Sequence, residues 1–97
     1  MSIIKELLPA GSVVLLKGGI KKTLIIGMFQ IVEDHPGEVY DYIGVPYPEG
    51  YMGANNVYVF QHEDINDIIF KGYTNPERDD FISMAELIIE KAEEQLK

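Results

Sequence analysis

The chain has 97 residues, of which 46% are apolar and 25% are charged. This length fits one small domain, and the composition is that of a folded protein, which excludes wholesale disorder. The net charge of −8 disfavours binding to nucleic-acid phosphates and to anionic lipid heads, and we interpret it first as a solubility feature and second as complementarity to a basic partner.

The amino-terminal segment, Met1 to Pro9, mixes a lysine and a glutamate with apolar residues and lacks the continuous apolar region of a secretory signal. We expect Ile3 to Leu8 to form a short helical turn that ends before the proline. The chain contains no cysteine, and its uncharged runs are far shorter than the ~20 residues of a membrane-spanning helix. These features predict a cytoplasmic protein without a membrane anchor.

The first two strands are predicted on either side of a segment rich in lysine and glycine. Val13 to Leu16 is a β-branched and aliphatic run, and Thr23 to Val32 is a second run rich in isoleucine. Lys17 to Lys22 between them lacks the spaced glycines and the Lys-Ser or Lys-Thr pair of a phosphate loop, so we interpret it as a hairpin tip. Gly27 predicts a bulge or the close approach of another backbone.

A turn is predicted at Glu33 to Gly37, followed by a third strand from Glu38 to Val45. The alternation of this strand places Tyr40 and Tyr42 on one face, where they are expected to contribute to the core. Two prolines follow closely, and because proline lacks an amide donor, regular strand pairing is expected to end near Pro46.

The most informative segment is Tyr40 to Tyr51, which holds four of the six tyrosines among prolines and glycines. A tyrosine side chain combines a large apolar ring with a polar tip, so rings held on turns suit contact with a partner. The predicted partner-binding residues are Tyr47, Pro48, Tyr51 and Met52. The alternative is that these rings complete the core.

Shorter elements follow. Val57 to Phe60 predicts a fourth strand, and Ile68 to Phe70 predicts a fifth strand that ends at Gly72. Between them, Asp64 or His62 is expected to open a helical turn that continues to Asp67.

Candidates for chemistry are sparse. One cluster resembles a set of metal ligands: His62, Glu63, Asp64 and Asp67. It lacks both the calcium-loop pattern and a two-histidine zinc pattern, so capping and solvation are the favoured interpretation. His35 lies in a proline-glycine turn without a nucleophile at a recognisable spacing. We therefore predict no catalytic residue, no metal ligand and no cofactor.

The carboxyl-terminal segment predicts an amphipathic helix from about Asn75 to Gln95. Asn75 is a suitable N-cap, and Pro76 falls at the first helical position, where its missing amide proton costs nothing. The alternative cap is Thr74, with Glu77 at the capping-box spacing.

The apolar residues of this helix follow four-and-three spacing. The predicted buried stripe comprises Phe81, Ala85, Ile88 and Ala92, with Ile82, Ile89 and Leu96 around it. Met84 and Leu87 widen the stripe. Core packing is the favoured use of this wider surface, and a partner helix is the alternative.

Together these elements predict a single α+β domain over residues 1–97, with a mainly β region over 1–74 and the helix over 75–97. We expect a curved, mainly antiparallel sheet of about five strands packed by the helix. A partly open small barrel is the alternative, and the order of the strands stays open.

Three blocks of the sequence, taken in order, resemble a known family. The first is Leu8 to Gly19 leading into Lys22 to Gly27, and the second is Tyr42 to Gly50 with its Tyr-Pro-Glu-Gly core. The third runs from Phe60 to Tyr73. On these blocks the chain is similar to the domain of unknown function numbered 4176, found in small proteins of Gram-positive bacteria.

The resemblance implies a context. Genes of this family often lie beside genes for LXG toxins and for small helical proteins, the cargo of type VII secretion. The expected function is that of a noncatalytic accessory or chaperone-like protein that binds the toxin or its helical targeting partners. An immunity protein is the alternative, and a metal-dependent enzyme is the second alternative. The expected partner is a protein, with no nucleic acid and no membrane, and a homo-oligomer stays open.

Overall fold

The computed structural model describes residues 6–32 and 37–95. In these residues it has five strands and one α-helix: β1 (Val13–Leu16), β2 (Lys22–Gln30), β3 (Tyr40–Pro46), β4 (Tyr58–Phe60), β5 (Ile65–Phe70) and α1 (Pro76–Gln95). Short 3-10 helices lie at Ala54–Asn56 and His62–Asp64. The helical turn expected at Ile3 to Leu8 lies mostly outside the described residues, as do His35 and most of its turn.

The five strands form one antiparallel sheet in the order β4-β3-β2-β1-β5. β1 and β2 are the predicted hairpin, in which Val14 pairs with Thr23, and Gly18 at the tip has a φ of 77°. Such a φ favours glycine because other side chains clash there. The sheet is open, with β4 and β5 as its edges, so the predicted α+β fold is confirmed and the barrel is not formed.

The irregularity predicted at Gly27 is present. The pairing of β2 with β3 shifts register between Ile25 and Gly27, and a Cβ at Gly27 would lie 2.9 Å from Cγ2 of Ile43. Just beyond it, Phe29 has a φ of 57°, a conformation that costs a non-glycine residue about 1–2 kcal/mol. Its ring packs 5.9 Å from that of Phe81 in α1, a contact that offsets this cost.

The main core lies between the amino-terminal segment and the sheet. It contains Leu7, Leu8, Val14, Ile25, Tyr42 and Phe60. The rings of Tyr42 and Phe60 pack 5.3 Å apart. Tyr42 is fully buried, which confirms its expected place in the core, whereas Tyr40 is half-buried and its expected part in the core stays a prediction.

α1 begins at the predicted cap. Oδ1 of Asn75 accepts a hydrogen bond from the backbone N–H of Arg78 at 2.9 Å, so Asn75 and not Thr74 satisfies the free amide groups of the first turn. The guanidinium of Arg78 donates to the carbonyl of Leu7 at 2.6 Å. The helix is therefore tied at its start to the amino-terminal part of the core.

The prediction of the buried stripe of α1 is wrong in part. Ile82 and Ile89 are buried against Met28, Phe29 and Val39, and Ala85 is buried as well. Phe81 and Ile88, predicted at the centre of the stripe, are 51% and 61% exposed. Two apolar rows with the same spacing run along the helix. Arg78 belongs to the row that packs, so its bond to Leu7 orients this row toward the sheet. The side chains of Ala92 and Leu96 lie outside the described part of the chain.

The turn before β5 also differs from its prediction. Its N-cap is Gln61, whose backbone N–H donates to the carboxylate of Asp64 at 2.9 Å, as in a capping box, and whose carbonyl accepts from the Asp64 N–H at 2.9 Å. The chain is already extended at Ile65, and Asp67 lies inside β5, opposite Leu15 of β1. Pairing with β1 therefore overrides the local helical signal, and the fifth strand begins three residues earlier than predicted.

A close crossing of two chain segments makes Gly72 hard to replace. Its N–H donates to Oγ of Ser12 at 2.9 Å, and an added Cβ would lie 2.6 Å from the carbonyl oxygen of Ala10. Backbone atoms cannot move aside as a side chain does, so Gly72→Ala is expected to lower the free energy of unfolding by about 1–3 kcal/mol. Urea unfolding measures this change.

Gly19→Ala is the matched control. Its added Cβ would meet its nearest atom, the carbonyl oxygen of Leu16, at 3.3 Å. A loss of stability no larger than that of the control would contradict the crowding at Gly72.

Candidate partner-binding site

The predicted partner-binding residues lie on one loop, Tyr47 to Gly53, which we call the tyrosine loop. It follows β3, which ends at Pro46 as predicted. The N–H of Tyr47 donates to the carbonyl of Lys22 at 2.9 Å, and the N–H of Gly50 donates to that of Pro46 at 2.7 Å. The Tyr47-Pro48 peptide is cis. The first half of the loop is thus bonded to the start of β2 and to the end of β3.

An ion pair holds the same half of the loop from outside. Nζ of Lys21 lies 2.7 and 2.8 Å from the two carboxylate oxygens of Glu49. Hydrogen bonding to Lys21 lowers the pKa of Glu49 below its usual value. Both side chains are close to half exposed, so solvent screens the pair and it contributes little to stability. Its main effect is to join the tip of the β1-β2 hairpin to the loop.

The second half of the loop is closed by Asn56. Its side-chain amide donates to the carbonyl of Met52 at 3.2 Å, and its backbone N–H donates to that of Gly53 at 3.0 Å. The backbone of the tyrosine loop is therefore hydrogen-bonded in both halves.

The side chains of the tyrosine loop point outward. Tyr47, Tyr51 and Met52 are 46%, 66% and 60% exposed, and Pro48 is exposed as well. The structure therefore brings all four predicted residues together on the surface, and the alternative that these rings complete the core does not hold. Their contact with a partner stays a prediction.

A buried polar cluster lies under the sheet, around Tyr42. Its hydroxyl accepts a hydrogen bond from the N–H of Leu8 at 2.8 Å and lies 2.7 Å from Nδ1 of His62. The backbone N–H of His62 donates to the carboxylate of Asp41 at 2.8 Å. The ring and the backbone of His62 thus connect the 3-10 turn to β3, and Tyr42 connects β3 to the amino-terminal segment.

Burial raises the pKa of Tyr42 to about 12. Because this value lies above the ordinary value near 10, the resulting stability is fully present below about pH 10 and is lost as the pH rises to about 12. We expect tyrosinate absorbance to show Tyr42 ionising together with the loss of the circular dichroism signal. In Tyr42→Phe the dependence of stability on pH over this interval should be shallower. An unchanged slope would contradict the assignment.

The acidic residues near His62 do not gather around one point. Asp64 is used in the capping box, and Asp67 lies in β5. Across residues 6–32 and 37–95, no three histidine or acidic side chains group in a way that could hold a metal ion. An open depression of about 450 Å³ lies beside His62 and is lined by the first part of β5, from Ile65 to Ile68.

A second exposed apolar surface lies on α1, where the sequence favoured core packing. It is the row Phe81, Met84, Leu87 and Ile88, which we call the α1 stripe. These side chains are 51–63% exposed. The sequence signal was the width of the apolar face, which exceeds what one sheet contact can cover.

A family model described as Domain of unknown function (DUF4176) matches residues 7–81. The searches of curated proteins and of solved structures returned no match. In the described residues, no helix has both the length and the apolar character to cross a bilayer.

Proposed function

We propose, from the premise that this chain belongs to the family described as Domain of unknown function (DUF4176), that it is a noncatalytic accessory protein of type VII secretion. It acts in the cytoplasm in the manner of a chaperone. Its partner is an LXG toxin or a small helical targeting protein of the same locus. The class of partner comes from the context that the family resemblance implies.

The observation that carries the proposal is the form of the tyrosine loop. Large side chains stand exposed at Tyr47, Tyr51 and Met52 on a backbone that is hydrogen-bonded at both ends. A loop that is already ordered loses little conformational entropy on binding, and a tyrosine ring supplies a large contact area with few rotatable bonds. Such residues often dominate the binding energy of protein interfaces.

The site fits a helical partner better than an extended strand. The loop presents rings and a methionine, whereas a strand partner requires an open row of backbone donors and acceptors. In this loop the amides of Tyr47 and Gly50 are already bonded to carbonyls. Apolar side chains on one face of a helix can pack directly on the exposed rings.

The test is binding to the two halves of the toxin encoded beside this protein. The chain is expected to co-elute with the amino-terminal helical half, or with the helical targeting protein, at micromolar concentrations. Failure to bind any neighbouring gene product at these concentrations would overturn the proposal. Binding to the carboxyl-terminal toxin half alone, with protection of cells that express the toxin, would replace it by an immunity function, for which the net charge of −8 suits a basic target.

A further inference from the structure

The α1 stripe is an apolar helix face that the fold leaves largely exposed, with only Phe81 in ring contact with Phe29. Its four side chains are at least half exposed, while Ile82, Ala85 and Ile89 on the neighbouring face are buried. Exposed apolar area is unfavourable by about 25 cal/mol/Å², and a contiguous patch of large side chains on a small domain marks an interaction surface.

The stripe is bounded by opposite charges at its two ends. Glu77 and Asp80 lie exposed on the amino-terminal side, and Lys91 lies exposed on the carboxyl-terminal side. Glu77 and Lys91 are each seven positions from Met84, which is about two helical turns, so all three lie along the same side of α1.

We propose that the α1 stripe pairs with the α1 stripe of a second copy of this chain, antiparallel and about a two-fold axis at Met84. In this arrangement residues whose numbers are equally distant from Met84 face each other. Phe81 therefore contacts Leu87 of the second copy, and Met84 contacts its own counterpart. Lys91 meets Glu77 of the second copy, and the symmetry produces this ion pair twice.

The charges select both the occupant and the direction. In a parallel pair Glu77 would face Glu77 and Lys91 would face Lys91, which is repulsive at both ends. Two chains of net charge −8 also repel each other in general. The antiparallel pair instead places Lys91, an exposed cation of this face, against the acidic end of the other helix. Glu77 and Lys91 are thus complementary in one orientation, in which Asp80 falls opposite Ile88.

The size of the contact sets its strength. α1 has 20 residues and is about 30 Å long, and each copy contributes four large apolar side chains. We expect four side chains of this size to bury less than the roughly 800 Å² per partner of a standard stable interface. The dimer is therefore weak, with dissociation in the micromolar range, and depends on protein concentration.

Sedimentation of the full chain alone tests the pairing, independently of any toxin. The wild-type protein is expected to pass from monomer to dimer across the micromolar range. Met84→Glu places two carboxylates at the two-fold axis and is expected to weaken the dimer at least tenfold. Ser83→Glu, which adds the same charge at an exposed position outside the stripe, is the control. A wild-type chain that stays monomeric, or equal effects of the two variants, would overturn the proposal.

Charge reversal tests the direction. Lys91→Glu and Glu77→Lys are each expected to weaken the dimer about two- to tenfold, and the double variant is expected to restore it.

A crosslink provides a second test. Because the chain has no cysteine, Met84→Cys introduces a single thiol, which a mild oxidant should convert into a crosslinked dimer faster than Ser83→Cys. If the wild-type chain and the stripe variants are all monomeric, and the variants no longer bind the toxin, the stripe belongs to the toxin interface and the self-pairing is refuted.

Discussion

Replacing Tyr42 by phenylalanine is expected to lower the free energy of unfolding by about 2–4 kcal/mol. The ring and its contact with Phe60 remain in the variant, but the hydroxyl is lost. The backbone N–H of Leu8 and Nδ1 of His62 then lose the partner that they share in the native protein. A buried polar group left without a partner costs about 1–3 kcal/mol, as applies to the Leu8 amide, and the lost bond to the partly buried His62 ring adds to this cost.

Tyr58→Phe is the control for this change. It removes the same hydroxyl from a ring that is 40% exposed on the edge strand β4, where water can replace any bond that is lost, so its effect should stay within about 0.5 kcal/mol. Urea unfolding of both variants near neutral pH provides the comparison. If the two variants are equally stable, the Tyr42 cluster does not hold the amino-terminal segment to the sheet.

The double variant Tyr47→Ala, Tyr51→Ala is expected to weaken binding of the toxin or targeting protein by about 30-fold or more, which corresponds to about 2 kcal/mol. Both rings are exposed, and the hydrogen bonds that hold the loop do not use either ring. The free energy of unfolding should therefore change by no more than about 1 kcal/mol. Titration calorimetry with the purified partner measures the affinity.

Two controls separate this effect from others. Tyr73→Ala removes an equally large ring that is 78% exposed outside the tyrosine loop, and it should leave the affinity unchanged. Met84→Glu should disturb self-association but not the tyrosine loop. If the double variant binds with wild-type affinity, the tyrosine loop is not part of the interface, even if the protein does bind the toxin.

The two surfaces lie toward opposite ends of the β2-β3 pair. The tyrosine loop follows the end at which Thr23 pairs with Pro46, whereas α1 packs on Met28 and Phe29, near the end at which Gln30 pairs with Tyr40. A dimer through the α1 stripe therefore leaves both tyrosine loops free. Such a dimer would present two copies of the loop, which raises the apparent affinity for a partner that carries two binding sites.

Features with a local cause could be predicted from the sequence. The β1-β2 hairpin follows from two β-branched runs around a glycine-rich tip, and β3 ends at Pro46 because proline offers no amide donor. Asn75 caps α1 because its side chain reaches an amide only three residues away. The exposure of Tyr47 and Tyr51 has the same kind of origin, since the prolines and glycine around them prevent strand pairing.

Contacts between distant parts of the chain were decided by the tertiary structure alone. The bonds of Tyr42 to Leu8 and His62, and that of Arg78 to Leu7, join residues 20–71 positions apart, and no periodicity encodes such pairs. The order of the strands and the start of β5 depend on which backbone lies alongside. The sequence by itself determined that α1 is amphipathic with a wide apolar face. Which row of that face is buried was decided by packing on Phe29 and by the Arg78 bond, because a helix with two equivalent apolar rows can be rotated to bury either one.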